Sequence, residues 1–294
     1  MKTTLKTVLG VGLVAFAQGS IAQQENSLQL DTDAITVSGL SSGGFMATQF
    51  HLANSDKVTG AAMLASGPYY CAQNDIAVAL GQCVDKVNSP LDVKALSAQA
   101  KSWEQAGKIP PLANLKDDKV WLLHGTADTR VNSAVSDALY QQYQQWVPAT
   151  QLTYVNDKPF SHVFPTVDAG GSCLDSASPY IGKCEYDAAG ELLTALLGEL
   201  NTPDDVLEGE VISFDQQEIA GDDASTLADK GYAYIPASCS NGEACRVHVS
   251  FHGCNQYAEA VDMAYVEQTG LNRWADDNQL VVIYPQTRKS LIMP

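Results

Sequence analysis

Gly39-Leu40-Ser41-Ser42-Gly43-Gly44 follows an apolar run at residues 34–37 and precedes a stretch at 45–50 that favours a helix. A strand, a serine between glycines and a helix in this order predict a nucleophile elbow, a sharp turn that lifts the serine hydroxyl above a sheet. The glycines matter because neighbouring side chains would not fit so tight a turn. Ser41 is therefore the candidate nucleophile. The alternative is a glycine-rich turn in which a serine caps the helix.

Two later segments supply an acid and a base after the serine. Residues 119–125 predict a buried strand that leads to Asp128, and residues 151–155 predict a second strand that leads to His162. The helices expected after these two loops lie at about 133–146 and 187–200. A serine, an acid and a histidine in this chain order are typical of α/β-hydrolases. Functional groups of open parallel sheets collect beyond the carboxyl ends of the strands, so we expect these three residues to converge.

The choice of Asp128 as acid and His162 as base has alternatives within the sequence. Most aspartates between a strand and a helix are turn or N-cap residues. Asp128 is favoured as the catalytic acid only because Ser41 and His162 accompany it in the sequence. The other histidines are excluded by chain order, because each lies before the acid or on a later strand. They are His51, His124, His248 and His252.

The ends of the chain and its charge limit the class of protein. Lys2 and Lys6, an apolar run at 8–17 and Ser20-Ile21-Ala22 form the three regions of a secretory signal peptide, with cleavage expected after Ala22. No other stretch approaches the length of a membrane span. Residues 23–294 are expected to form a single domain. The formal net charge of −17 disfavours nucleic acid and anionic membranes as partners and suits a neutral substrate.

The seven cysteines predict disulfide bonds, as expected for an exported protein. Short loops suggest three pairs, although sequence alone leaves the connectivity open. The pairs are Cys71 with Cys83, Cys173 with Cys184, and Cys239 with Cys245. A zinc site is the rival interpretation, but the chain has no Cys-x-x-Cys or histidine-bracketed pattern. Cys254 is left over.

The last third of the chain predicts the opening elements of an α/β-hydrolase. Residues 209–214 and 231–236 are interpreted as an antiparallel pair, and the strand at 246–251 leads into the turn His252-Gly253-Cys254-Asn255-Gln256. A helix at 265–275 and a strand at 280–284 follow. A His-Gly turn at this place typically donates a backbone N–H to the oxyanion hole. Because these elements come last, we predict an α/β fold of a mostly parallel sheet flanked by helices, circularly permuted to begin near the nucleophile strand.

This arrangement resembles the polyhydroxybutyrate depolymerase family of extracellular polyester hydrolases, in the type whose serine motif lies near the mature N-terminus. The similarity extends from about residue 34 to 289. It rests on the Ser41 motif together with His124-Gly125-Thr126-Ala127-Asp128, Phe160-Ser161-His162-Val163-Phe164-Pro165, Pro179-Tyr180-Ile181, Cys184, His252-Gly253-Cys254-Asn255-Gln256, Asn272-Arg273-Trp274-Ala275 and Tyr284-Pro285-Gln286.

The resemblance implies hydrolysis of short-chain polyhydroxyalkanoate esters by a triad of Ser41, Asp128 and His162. It also implies oxyanion donors at the backbone N–H groups of Ser42 and Cys254. This chemistry requires neither a metal nor an organic cofactor. Two alternatives remain open: a feruloyl or acetyl-xylan esterase, which shares the fold and triad, and an inactive, truncated secreted binding protein.

The chain departs from the family at its end. Where the family continues into a cysteine- and tryptophan-rich stretch and a long helix, this sequence stops at Pro294. The expectation is a truncated domain with apolar sheet surface exposed and with Cys254 as a free thiol.

Overall fold

A computed structural model describes residues 28–85, 90–204 and 206–289. The predicted signal peptide at 1–22 and the last residues of the chain, 290–294, lie outside the described residues. The proposed boundaries of the domain at these ends therefore stay predictions.

The described residues form twelve strands and ten α-helices. The strands are β1 (Gln29–Leu30), β2 (Ile35–Leu40), β3 (Val58–Leu64), β4 (Lys119–Leu123), β5 (Leu152–Val155), β6 (Phe164–Thr166), β7 (Gly171–Ser172), β8 (Ile181–Lys183), β9 (Glu210–Asp215), β10 (Lys230–Ile235), β11 (Ala244–Phe251) and β12 (Leu280–Tyr284). The α-helices are α1 (Ser42–Ala53), α2 (Ile76–Leu80), α3 (Val93–Gln105), α4 (Ser133–Tyr143), α5 (Ala188–Leu197), α6 (Gln216–Ala220), α7 (Ala237–Ser240), α8 (Ala258–Val261), α9 (Ala264–Gln268) and α10 (Leu271–Asp276).

One large sheet forms the centre of the fold, in the order β5-β4-β3-β2-β11-β12-β10-β9. Its pairings are parallel from β5 to β12, whereas β10 is antiparallel to both β12 and β9. The late strands β9 to β12 thus make one half of the sheet, and the early strands β2 to β5 make the other. This order confirms the circularly permuted α/β-hydrolase fold. A smaller parallel sheet contains β6, β8 and β7.

The central strands are buried along most of their length because helices cover both faces of a parallel sheet. In β3 every residue but Thr59 is buried. Helices α1, α3 and α4 contribute to the core on one face, with Leu52, Ala100 and Tyr143. Helices α5, α9 and α10 contribute to the core on the other face, with side chains that include Leu192, Tyr265 and Leu271.

Two predictions about elements need correction. The predicted helix at 265–275 is two short helices, α9 and α10, because Gly270 between them has a φ of 85° and interrupts the helical hydrogen bonding. The nucleophile strand is also not the first strand of the described chain. The two-residue β1 precedes it and pairs with the beginning of β11.

The three disulfide bonds suggested by loop length are confirmed, namely Cys71–Cys83, Cys173–Cys184 and Cys239–Cys245. Cys254 is unpaired and exposed. On the sheet face that carries α1, Ile35, Phe251 and Ile283 remain partly exposed. No helix within the described residues is both long and apolar enough to cross a membrane.

We expect unfolded, non-reduced mature protein to react with one equivalent of a thiol reagent, at Cys254, because the other six cysteines are paired. Peptide mapping after alkylation checks the position. Labelling at any second cysteine would contradict the pairing described above.

Candidate active site

Ser41 occupies the turn between β2 and α1 in a conformation that side chains rarely adopt. Its φ is 57° and its ψ is −123°, and its side chain makes no capping hydrogen bond to the helix. The helix-cap alternative therefore fails for this serine. Its backbone N–H donates to the Leu64 carbonyl at 2.9 Å, which anchors the turn to β3. A non-glycine residue held at positive φ is a common feature of functional sites.

The glycines of the motif are required by close backbone contacts. A Cβ atom at Gly39 would lie 2.2 Å from the Gly43 carbonyl oxygen, and one at Gly43 would lie 2.0 Å from the Phe251 carbonyl oxygen. Larger residues would therefore push α1 away from both β2 and β11. The first N–H groups of a helix have no partner within it, so the Ser42 N–H is free of intrahelical bonding.

Asp128 and His162 form a buried pair. His162 Nδ1 lies 2.8 Å from Asp128 Oδ2, and the two side chains are 9% and 1% exposed. The other carboxylate oxygen, Oδ1, accepts the N–H groups of Arg130 at 2.7 Å and Val131 at 3.0 Å. Asp128 thus serves both as a turn residue, which was its structural alternative, and as the partner of His162. The N-cap of α4 is a different residue, Asn132.

The Asp128 carboxylate stays ionised despite its burial. Burial alone would raise its pKa, but the hydrogen bond and the charge of His162, with the N–H groups of Val131 and Arg130, outweigh that effect and hold the pKa below 3.8. The ionised Asp128 accepts a hydrogen bond from His162 Nδ1–H, which leaves Nε2 as the basic nitrogen of the neutral ring.

The loop that carries His162 is tied to the segment that follows it. The His162 N–H donates to Ser176 Oγ at 3.0 Å, and the Ser161 N–H donates to the Cys173 carbonyl at 3.0 Å. The Cys173–Cys184 bond fixes the same segment to β8. The histidine is therefore positioned by contacts that lie beyond its own loop.

The turn after β11 lies directly against Ser41. A Cβ atom at Gly253 would lie 3.4 Å from Ser41 Cβ and 2.7 Å from Gln256 Oε1. Gln256 Oε1 accepts the Gly253 N–H at 2.8 Å, and its Nε2 donates to the Pro179 carbonyl at 2.8 Å. Gln256 therefore holds this turn to the segment that also supports His162.

His252 stabilises the same turn as a neutral ring. Its Nε2 accepts the Thr287 N–H at 3.1 Å, so Nδ1 carries the proton and donates to the Gly253 carbonyl at 2.8 Å. Burial lowers the pKa of His252, although its bond to Gly253 opposes that shift. The sequence gives no signal for these roles of Gln256 and His252 beyond their place in the turn.

The structure brings part of the predicted site together. The structure pairs Asp128 with His162 and brings the Cys254 turn against Ser41. Among the described residues no hydrogen bond joins Ser41 Oγ to His162. Such bonds are often long before substrate binds. Within the described ranges no group of three or more His, Cys, Asp or Glu side chains is arranged to hold a metal ion.

The remaining histidines have structural partners. His51 contacts Asp118 and Tyr143, each at 2.9 Å, and His124 Nδ1 contacts Ser136 Oγ at 2.9 Å. His248 is fully buried, and burial lowers its pKa to about 3. Burial likewise lowers the pKa of His124.

We expect the free energy of unfolding to decrease as the pH is lowered from 7 to 5. His248 takes up a proton in the unfolded chain below its ordinary pKa of 6.5 but stays neutral in the folded protein down to about pH 3. The unfolded state therefore binds more protons, and His248 alone lowers stability by about 2 kcal/mol at pH 5. Denaturant titrations at the two pH values check this. Equal stability at both would show that the ring is protonated in the folded state.

Comparisons with known proteins find relatives of this chain that are polyhydroxybutyrate depolymerases. It is 39% identical over 285 residues to a poly(3-hydroxybutyrate) depolymerase of Delftia acidovorans, covering 95% of this chain and 57% of that protein. It is 35% identical over 281 residues to a polyhydroxybutyrate depolymerase of Talaromyces funiculosus, covering 93% of this chain and 80% of that protein. The chain thus spans little more than half the length of the Delftia relative. No family model matches it.

The solved structures that this chain resembles are also PHB depolymerases. The crystal structure of the PHB depolymerase from Penicillium funiculosum superimposes with a TM-score of 0.82 at 35% identity, over 90% of this chain and 82% of that chain. A serine-to-alanine variant of a PHB depolymerase, complexed with an R3HB trimer, matches equally well. On sequence identity over most of both chains, with the same fold, this chain belongs to the polyhydroxybutyrate depolymerase family.

Proposed function

We propose that this protein is a serine esterase that hydrolyses poly(3-hydroxybutyrate) or a related short-chain polyhydroxyalkanoate. The observation that carries the proposal is the ionised Asp128 paired with His162, together with a serine held at positive φ on the turn after β2. An acid–imidazole pair and a partly exposed serine at the ends of parallel strands are the parts that acyl transfer needs. The depolymerase relatives supply the substrate class.

In the proposed reaction Ser41 Oγ attacks the ester carbonyl and His162 Nε2 accepts the serine proton. Asp128 keeps the other ring proton on Nδ1 and stabilises the charged ring. The alcohol end of the polyester leaves with the proton from His162, and an acyl-enzyme remains on Ser41. Water, activated by the same histidine, then releases the hydroxy acid end.

The tetrahedral intermediates carry a negative oxygen that needs donors. We assign the Ser42 N–H at the beginning of α1 and the Cys254 N–H in the turn against Ser41 to this role. A preorganised donor of this kind lowers the activation free energy by roughly 3 kcal/mol. The proximity of Gly253 to Ser41 supports the assignment, because it brings the turn that carries the Cys254 N–H to the nucleophile.

We also propose that the protein is exported from the cell that makes it. The signal peptide predicted at 1–22, the three disulfide bonds and the negative net charge support export and action outside the cytoplasm on a neutral polymer. Recovery of processed protein that begins at Gln23, from the periplasm or the medium of an expressing cell, tests this part.

The activity is tested by assaying purified mature protein side by side on poly(3-hydroxybutyrate) particles, p-nitrophenyl butyrate, a feruloyl ester and acetylated xylan. Turnover of the polymer and the butyrate ester supports the proposal. Preference for the plant-wall esters would favour the carbohydrate esterase instead. Correctly folded protein that is inactive on every ester would favour a binding protein.

A further inference from the structure

Five buried polar side chains lie between the strand that ends at the nucleophile and the strand that ends at the oxyanion turn. None is more than 1% exposed. They are Thr36 and Ser38 on β2, His248 and Ser250 on β11, and Tyr265 on α9. Polar groups at such depth are costly unless each is hydrogen-bonded, and the mechanism above uses none of them.

These side chains form one continuous series of hydrogen bonds that ends on the Phe251 carbonyl. The successive distances are 2.9 Å from Thr36 Oγ1 to His248 Nδ1, 2.8 Å from His248 Nε2 to Ser38 Oγ, 3.1 Å from Ser38 Oγ to Ser250 Oγ, 3.0 Å from Ser250 Oγ to the Tyr265 hydroxyl, and 2.8 Å from that hydroxyl to the Phe251 carbonyl oxygen. We call this series the Thr36–Phe251 relay.

The carbonyl at its end fixes the direction of every bond in the relay. A carbonyl only accepts, so Tyr265 gives it the one hydroxyl proton and must accept from Ser250. Ser250 then accepts from Ser38, and Ser38 accepts from His248 Nε2–H. His248 is neutral because burial lowers its pKa to about 3, so Nδ1 accepts from Thr36. Bonds aligned in one direction strengthen each other.

The far end of the relay is attached to the proposed oxyanion turn. Phe251 is the last residue of β11 and precedes His252-Gly253-Cys254. Its carbonyl is held between the Tyr265 hydroxyl and the backbone of Gly43, where a Cβ atom would lie only 2.0 Å away. The near end lies on β2, which leads directly into Ser41. A shift of this carbonyl therefore moves the turn relative to the nucleophile.

We propose that Tyr265 is a positioning residue, which through its hydroxyl and the Thr36–Phe251 relay fixes the Cys254 turn at the distance from Ser41 that the oxyanion requires. The inference rests on the esterase function proposed above. Tyr265 does not touch the reacting atoms, and it acts through the backbone at the end of β11.

The test compares two tyrosine-to-phenylalanine variants by kcat, KM and Tm on p-nitrophenyl butyrate. Tyr265→Phe removes the donor to the Phe251 carbonyl and should lower kcat roughly tenfold, because small displacements of catalytic groups have large effects on rate. KM should stay within about twofold, since ground-state binding does not use the oxyanion donors. Tyr143→Phe is the matched control, since Tyr143 is equally buried and also hydrogen-bonded, but to His51. It should lower Tm and leave kcat unchanged.

A graded variant and a spectroscopic measurement complete the test. Ser250→Ala interrupts the relay one bond earlier and keeps the Tyr265–Phe251 bond, so kcat should fall less than in Tyr265→Phe. Nitrogen chemical shifts of the wild-type His248 ring should show the proton on Nε2. A proton on Nδ1, or a Tyr265→Phe variant with wild-type kcat, would overturn the inference. Inactive wild-type protein would instead refute the esterase function, and the tautomer measurement would still test the relay.

Discussion

Replacement of Ser41 by alanine should abolish ester hydrolysis and leave the fold intact. The Ser41 hydroxyl makes no capping hydrogen bond, so its removal leaves no structural group unpaired. The turn is held instead by backbone contacts, including the bond from the Ser41 N–H to the Leu64 carbonyl. Without the nucleophile no acyl-enzyme forms, and we expect kcat to fall by about 10⁶-fold.

The measurement is kcat on p-nitrophenyl butyrate, with Tm as the check on folding. Ser55→Ala is the matched control, because Ser55 follows α1, is buried and has a hydroxyl without a hydrogen-bond partner among the described residues. It should retain wild-type activity. A serine-directed phosphonate should label Ser41 alone in the wild-type protein, and labelling of Ser42 instead would contradict the assignment of the elbow.

The three residues of the proposed triad could be singled out from sequence because each follows a local pattern. The Ser41, Asp128 and His162 segments each come after a run that forms a parallel strand of the main sheet, namely β2, β4 and β5. Parallel strands bring their carboxyl ends to one edge of the sheet, so no knowledge of long-range contacts was needed. The disulfide bonds were predictable for a similar reason, since their separations of 12, 11 and 6 residues make the partners near neighbours in the chain.

The long-range contacts around the proposed triad could not be predicted in this way. Thr36 and His248 are 212 residues apart and meet only because the sheet order places β11 beside β2. Each shares its strand with other polar residues, so no local pattern marks the two as partners. Gln256 likewise reaches the Pro179 carbonyl, 77 residues away, through a loop whose path no periodic pattern specifies.

The broken helix at 264–276 has a different cause. Apolar residues continue across the break, so the pattern predicts one helix, whereas Gly270 at positive φ starts a new helix at Leu271. Glycine permits either conformation, and the choice is made by packing. The interruption leaves Tyr265 on the short helix α9, with its hydroxyl at the Phe251 carbonyl.

Asp128→Asn should reduce kcat strongly, although about a hundredfold less than loss of the nucleophile, while the loop keeps its shape. The N–H groups of Arg130 and Val131 both point at Oδ1 and require an acceptor there. The asparagine carbonyl oxygen takes that place, which turns the amide NH₂ towards His162 Nδ1. A donor at this position forces the His162 proton onto Nε2, where it blocks acceptance of the Ser41 proton. By analogy with the same substitution in a serine protease, kcat should fall about 10⁴-fold.

A second buried aspartate–histidine pair provides the control for this variant. Asp118 contacts His51 Nε2 at 2.9 Å, and His51 lies ten residues along α1 from Ser41, about 15 Å away. Asp118→Asn should therefore lower Tm and leave kcat within about twofold of wild type. Nitrogen shifts of the His162 ring should show the proton on Nδ1 in the wild-type protein and on Nε2 in Asp128→Asn. If Asp128→Asn kept kcat near the wild-type value, or if both variants lost activity equally, Asp128 would be a turn residue alone and His162 would need another partner.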